Sequence, residues 1–192
     1  MNNSKIISCL IVFALISGCA ATSMNVYKAS GNKNICSSAD LGKVVLLPES
    51  AWRYDQKEPE KRQVMAFDEI KNAFSSFPCG SISKENGIKE FSNWSSKPES
   101  ELLNQFYSEG VDTIILIRME ELTPRINITF SLPFLWSGTN EADFRVRVLS
   151  TKTGTALNDM RVKRVTGGPF NIRPAEWSRE ELRSALKEII GE

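Results

Sequence analysis

Apolar and polar positions change period several times along the chain, and each change marks an element. The apolar run from Ile6 to Ile16 follows Lys5. At about 1.5 Å per residue it is too short for a hydrocarbon core of roughly 30 Å, and it has the proportions of a secretory signal. From Ala20 to Gly42 the chain is rich in Ala, Ser, Asn and Gly, which predicts a flexible tether. Lys43-Val44-Val45-Leu46-Leu47-Pro48 is a continuous apolar run stopped by proline, the pattern of a buried strand. Pro59 suits the first turn of a helix, and Val64, Phe67, Ile70, Phe74 and Phe77 recur at helical spacing to give it one apolar face ending near Pro78. A short strand is expected from Cys79 to Ile82. Ser96 and Glu99 have capping-box spacing and predict a second helix, with Leu102, Leu103, Phe106 and Tyr107 buried and Gly110 at its stop.

The second half is richer in strands. Ile114-Ile115-Leu116-Ile117, within Val111 to Leu122, is apolar on both faces. It requires a central strand covered on both sides within the chain, or one paired in an oligomer. Arg125 to Leu132 alternates through Ile126, Ile128 and Phe130 and predicts a separate half-buried strand. Phe144, Val146 and Val148 alternate with Arg145 and Arg147, Thr151-Lys152-Thr153-Gly154 signals a turn, and Met160, Val162 and Val165 return. Ser178 and Glu181 form a second capping box before Leu182, Leu186, Ile189 and Ile190. The predicted order is β-α-β-α-β-β-β-β-α. This is a single α/β domain over residues 43–192, with a mixed sheet of five to six strands and three helices, preceded by a signal (1–18) and a tether (19–42).

Composition narrows the chemistry. The chain has no histidine, which excludes Ser-His-Asp and Cys-His catalysis and any His-ligated zinc or haem. The formal charge is +1, with 24 basic against 23 acidic side chains, and gives no electrostatic case for nucleic acid. Lys5 carries the excess, so only local patches have electrostatic meaning after the signal leaves. The carboxylate pairs Asp68-Glu69, Glu120-Glu121 and Glu180-Glu181 diverge on either a helix or a strand, and are expected as solvated surface. Gly167-Gly168-Pro169 is expected as a turn, without the Lys-Ser/Thr of a phosphate loop. The expectation is a non-enzyme with no metal and no cofactor.

Ile16-Ser17-Gly18-Cys19 resembles the lipobox of bacterial lipoproteins. The resemblance implies cleavage before Cys19, diacylglycerol on its thiol and an acyl chain such as palmitate on the new amino group. Several chains make a stable anchor. The lack of Asp after Cys19 implies the outer membrane, with the domain facing the periplasm. Cys9 then leaves with the signal and Cys19 is acylated. Cys36 and Cys79 remain in an oxidising compartment, as a disulfide or as two buried free thiols.

A second resemblance rests on the element order behind the lipobox and on the segment from Arg145 to Leu157. That segment is similar to a strand–D-x-x-T-G–strand hairpin, with Ser150 where the pattern often has Asp. Together they resemble the small α/β domain of the TolB amino-terminal type, related to domains of the CsgG and PelC envelope lipoproteins. The resemblance implies an accessory or assembly subunit of a cell-envelope complex for secretion, export or cell-wall synthesis, with a homo-oligomeric ring also open.

Two surface features are candidates for contact. Leu132 to Gly138 reads as a loop carrying Phe134, Leu135 and Trp136, which either folds over the core or anchors a partner protein or the membrane interface. Arg145 and Arg147 share one side of their strand, as do Arg161 and Lys163 of the next. Paired across the turn they make a basic patch, either a solvated face or a site for an anionic polymer such as peptidoglycan or polysaccharide. In the latter case the protein is a monomeric lipid-anchored binding module.

Overall fold

The computed structural model describes residues 21–31, 34–37, 40–82, 87–89, 93–128, 136–169 and 176–191. Its strands are β1 (Ala21–Ser30), β2 (Lys43–Ser50), β3 (Ser81–Ile82), β4 (Thr113–Ile128), β5 (Trp136–Ser150) and β6 (Ala156–Pro169). Its helices are α1 (Pro59–Ala73), α2 (Glu99–Ser108) and α3 (Trp177–Ile190). The strands form one sheet in the order β1-β6-β5-β4-β2-β3. β2 runs parallel to β3 and β4, and all other pairs are antiparallel. This is the mixed α/β domain with three helices that the periodicity predicts.

The sheet separates two cores. Leu46, Ile115, Ile117, Phe144, Val146, Met160 and Val162 meet α1 and α3 on one face. Val45, Leu47, Ile114, Leu116 and Leu149 meet Leu102 and Phe106 of α2 on the other. The doubly apolar run of β4 is therefore covered on both sides within the chain, and needs no second copy to bury it.

The N-terminal segment differs from the tether expected of it. Ala21–Ser30 is an edge strand on β6, where Met24 and Val26 pack against the larger core. Met24 and Val26 alternate with Ser23, Asn25 and Tyr27. The pattern is too short to be read alone and gains its meaning from the waiting edge of β6. Farther on, Cys36 and Cys79 form a disulfide with a Cα–Cα distance of 5.2 Å, closing a sequence separation of 43. In the chain-entropy picture such a loop contributes about 4 kcal/mol.

Other local expectations are corrected by tertiary context. The two strands expected at 111–122 and 125–132 are one strand, β4, running through Pro124. β2 ends its pairing with β4 at Met119, so Pro124 sits on a free edge where no ladder donor is required. Just before it, the Gln56 side chain meets the backbone of Leu122, accepting from its N–H at 3.3 Å and donating to its carbonyl at 3.5 Å. Neither capping box forms. α2 starts after Pro98, Ser96 donates to the Asn93 carbonyl, and Glu99 is drawn to Arg147. α3 starts at Trp177, Ser178 lies inside its first turn, and Glu181 pairs with Arg164. Val64 and Tyr107, expected in apolar faces, are exposed. The buried stripe of α1 instead runs through Arg62, Met65, Ala66, Glu69, Ile70 and Ala73. Gly167-Gly168-Pro169 is strand, not turn, and a Cβ at Gly167 would meet Thr139 Cγ2 at 2.5 Å.

Candidate functional site: the open face of the sheet

On its face of the sheet α2 covers β2, β4 and the Leu149 end of β5. Over β5 and β6 the same face carries charged side chains, because the odd-numbered positions of both strands point away from the α1–α3 core. Arg145 and Arg161 are direct register partners. Each is preceded by Asp two positions earlier on its own strand, at Asp143 and Asp159. In an antiparallel pair this D-x-R repeat places each Asp diagonally from the other strand's Arg. Arg145 donates to Asp159 at 2.9 and 2.7 Å, and Arg161 donates to Asp143 at 2.9 and 2.9 Å. These fork-to-fork bonds raise the pKa of both guanidiniums.

The lattice continues on every side. Arg147 donates to Glu99 of α2 at 2.6 Å and lies 3.3 Å from Asp159. Arg161 also reaches Glu120 at 2.7 Å, and Lys163 reaches Glu141 at 2.8 Å. Beyond them Arg53 pairs with Glu121, which also accepts from the Thr123 hydroxyl. Within the Asp143–Arg161 pair the acid lies against the sheet and the cation above it: Asp143 is 3% exposed, whereas the Arg161 side chain is 51% exposed. The row through Arg145 and Arg161 extends to Arg118 on β4 and Tyr27 on β1, and Arg118 is the register partner of Glu49 on β2. The buried Nε of Arg118 and Oε2 of Glu49 have no hydrogen-bond partners.

The structure thus brings Arg145, Arg147, Arg161 and Lys163 together, as their alternation predicts, and brings acids in with them. The face is a rigid lattice of both signs, not a basic patch. The acids were legible in principle, since Asp143 and Asp159 share the side of their arginines by the same two-residue period. The adjacent carboxylate pairs divide as geometry requires, but not into uniform solvent exposure. Glu69, Glu121 and Glu181 are buried, and each is met by an arginine: Arg183 at 2.7 Å from Glu69, Arg53 on Glu121, and Arg164 at 2.9 Å from Glu181.

The remaining candidates are placed as follows. Cys36 and Cys79 are bonded to each other. Cys19, Phe134 and Leu135 lie outside the described residues. Trp136 opens β5 across from Ile128, and its side chain lies outside them. A site that sequence reasoning missed is a groove of about 300 Å³ beside α2, lined by Leu47, Lys89, Asn93, Trp94, Lys97, Leu102, Gln105 and Phe106. Its residues come from four segments, and no local spacing announces it. Among the described residues no group of His, Cys, Asp and Glu is arranged to hold a metal ion, and no helix is long and apolar enough to cross a membrane.

No protein-family model matches the sequence, and no curated protein matches it. Among solved structures, the chain is similar to a PelC dodecamer from Paraburkholderia phytofirmans, with 9% identity over 88% of this chain and 99% of that one and a TM-score of 0.45. It is similar to lipoprotein GNA1162 from Neisseria meningitidis, with 13% identity over 79% and 99% of the two chains and a TM-score of 0.44. It is also similar to protein XCC0632 from Xanthomonas campestris, with 12% identity over 80% and 84% and a TM-score of 0.42.

Proposed function

We propose that this chain is an outer-membrane lipoprotein, anchored through Cys19 and facing the periplasm, that serves as a non-catalytic accessory or assembly subunit of a cell-envelope complex. The observation that carries the reading is the open β5–β6 face. Its carboxylates are locked to cations in fixed geometry, which suits recognition of a complementary protein surface and leaves little freedom for acid–base chemistry. The absence of histidine from the sequence supports the same view. A lattice whose charges already satisfy one another also favours a patterned protein partner over a uniformly anionic polymer, because a polyanion would have to displace the acids.

The anchor sharpens the mechanism. β1 begins two residues after Cys19, so a lipid on that cysteine would lie within the reach of two residues, at most about 7 Å, of the sheet. The domain would be held close to its leaflet, with the β1 edge and the charged face presented at a fixed height. Placement replaces the wide sweep that a flexible tether would allow.

The test is site-specific photo-crosslinking of the native lipidated protein in membranes, with the crosslinker at Tyr27 or Arg145 on the open face and at Lys187 on α3 as the control. A discrete envelope protein captured from the face positions only is the expected result. Equal capture from all three positions, or none from the face, would reject the face as the docking surface. Cys19→Ser is expected to move the protein to the soluble periplasmic fraction, and retention in the membrane would reject the anchor.

A further inference from the structure

β1 and the β4–β5 ladder leave the sheet at the same end. Ala21, the first residue of β1, lies in one row with Gly167, Thr139 and Arg125. Past that row β4 runs three residues on to Ile128, which pairs with Trp136 at the start of β5. At about 3.3 Å per residue, the ladder projects roughly 10 Å beyond the level of Ala21. Cys19 precedes Ala21 by two residues, so it reaches at most about 7 Å past the same level. The end of the ladder therefore extends at least as far as the residue proposed to carry the lipid. Composition changes at this row too. From it outward, the strand residues 125–128, 136–139 and 167–169 contain no carboxylate and one charge, Arg125. They include Ile126, Ile128 and Trp136. Two residues inward on β5 the acids begin at Glu141, followed by Asp143, which is in register with Glu121. The charged lattice thus stops short of the end nearest Cys19.

We infer that the β4–β5 end of the sheet rests in the head-group region of the leaflet that holds the Cys19 lipid, so that the domain meets the membrane at two points. This rests on the Cys19 anchor proposed above. Three features select a lipid surface as the occupant. The acyl chains on Cys19 must reach hydrocarbon, which brings this end of the sheet to the interface. Tryptophan favours that layer, where one end of the ring is apolar and the other wet. The lack of carboxylates removes the repulsion that an anionic lipid surface would exert, and Arg125 adds attraction. β1 and β4 are three strands apart in the sheet, roughly 14 Å at the usual spacing. Two contacts that far apart fix the tilt of the domain, and with it the direction in which the β5–β6 face looks.

The test uses the native lipidated protein, reconstituted into vesicles of phosphatidylethanolamine and phosphatidylglycerol with or without bromine on the acyl chains near the head groups. Bromine quenches tryptophan emission only at close range. Flotation reports the anchor, and the emission lost to bromine reports the contact. Wild type is expected to float and to be quenched. Trp136→Phe is expected to float equally and to lose most of the quenching. Trp94→Phe is the control and should leave the quenching in place. Trp94 adjoins Ser95, which donates to Glu49 at 2.6 Å, and the row through Glu49 meets β1 at Tyr27, about 20 Å from Ala21. Floating wild type without quenching would overturn the inference and leave the anchor standing. So would quenching that survives undiminished in Trp136→Phe or is lost in Trp94→Phe. Protein that does not float would reject the anchor, and the inference with it.

Discussion

Arg145 of β5 stands directly opposite Arg161 of β6, and each guanidinium is held by the carboxylate two residues before the other. Like charges placed face to face on a sheet would otherwise repel. Here the diagonal acids turn the repulsive pair into a cross-braced one. The brace depends on period two and on register together, since a one-residue slip of either strand would send its own Asp and Arg to the α1–α3 core. The pair therefore locks the hairpin register as well as shaping the open face.

Coupling across this brace is measurable. Asp143→Ala strips the Arg161 guanidinium of its buried partner and is expected to destabilise by about 1–3 kcal/mol, discounted from a buried pair because Arg161 is half exposed. Urea unfolding of Asp143→Ala, Arg161→Ala and the double variant gives the pairwise term. A coupling of about 1 kcal/mol is expected, and one indistinguishable from zero would mean that the bonds hold no register.

The disulfide permits a cleaner number. Cys36→Ser with Cys79→Ser releases a separation of 43 residues and is expected to cost about 4 kcal/mol in urea unfolding. The reduced wild-type protein should behave like the variant. Unchanged stability in both would show that the covalent link adds nothing to the packing of Ile35 and Leu41 at that end of the core.

The elements that the sequence revealed are those whose pattern is complete within a few residues. The run from Val44 to Leu47, the doubly apolar Ile114–Ile117 and the Leu182–Ile190 stripe each carry their burial in their own spacing. β1 was missed because Met24 and Val26 are too few to declare a strand until β6 supplies the edge. Both capping boxes were misread for one reason: Glu99 and Glu181 have stronger partners in Arg147 and Arg164, which are distant in sequence. The charged face was half visible, its cations by alternation and its acids only once register was known. The groove was invisible, since Leu47, Trp94 and Phe106 meet only after two crossovers.

Docking of β1 leads to a third expectation. Val26, with Met24, packs against the core from a strand whose other side chains are exposed. Val26→Asp should detach β1 while leaving the rest folded, because a charge would then face Val162 across the ladder. Limited proteolysis should cut within 21–30 in the variant and not in wild type, with the trimmed domain keeping its far-ultraviolet circular dichroism. Global collapse on substitution would instead make β1 part of the cooperative core.

Acid sensitivity should report on Asp112, where three elements meet. Its carboxylate accepts the Lys43 N–H at 2.9 Å and lies 2.8 Å from Lys152 Nζ, while its backbone carbonyl accepts from Thr151 N–H. The Lys152 contact first, and the Lys43 N–H next, hold this carboxyl below its ordinary range. A carboxylate depressed in the fold contributes stability that is complete above its unfolded value, about 4, and is lost as pH falls through the lower folded value. Asp112→Asn is therefore expected to cost about 1 kcal/mol at neutral pH, a figure kept small because Lys152 is largely exposed. The gap between variant and wild type should close as pH drops below about 4. Gly42 belongs to the same junction: its φ is +64°, and a Cβ there would lie 2.5 Å from the Asp112 carboxylate. Gly42→Ala should thus destabilise more than Asp112→Asn, and should do so at every pH, because it adds backbone strain and a clash that protonation does not relieve. Urea midpoints for the three proteins between pH 2 and 7 separate the two effects. An Asp112→Asn deficit that persists unchanged at pH 2 would mean that charge has no part in the junction.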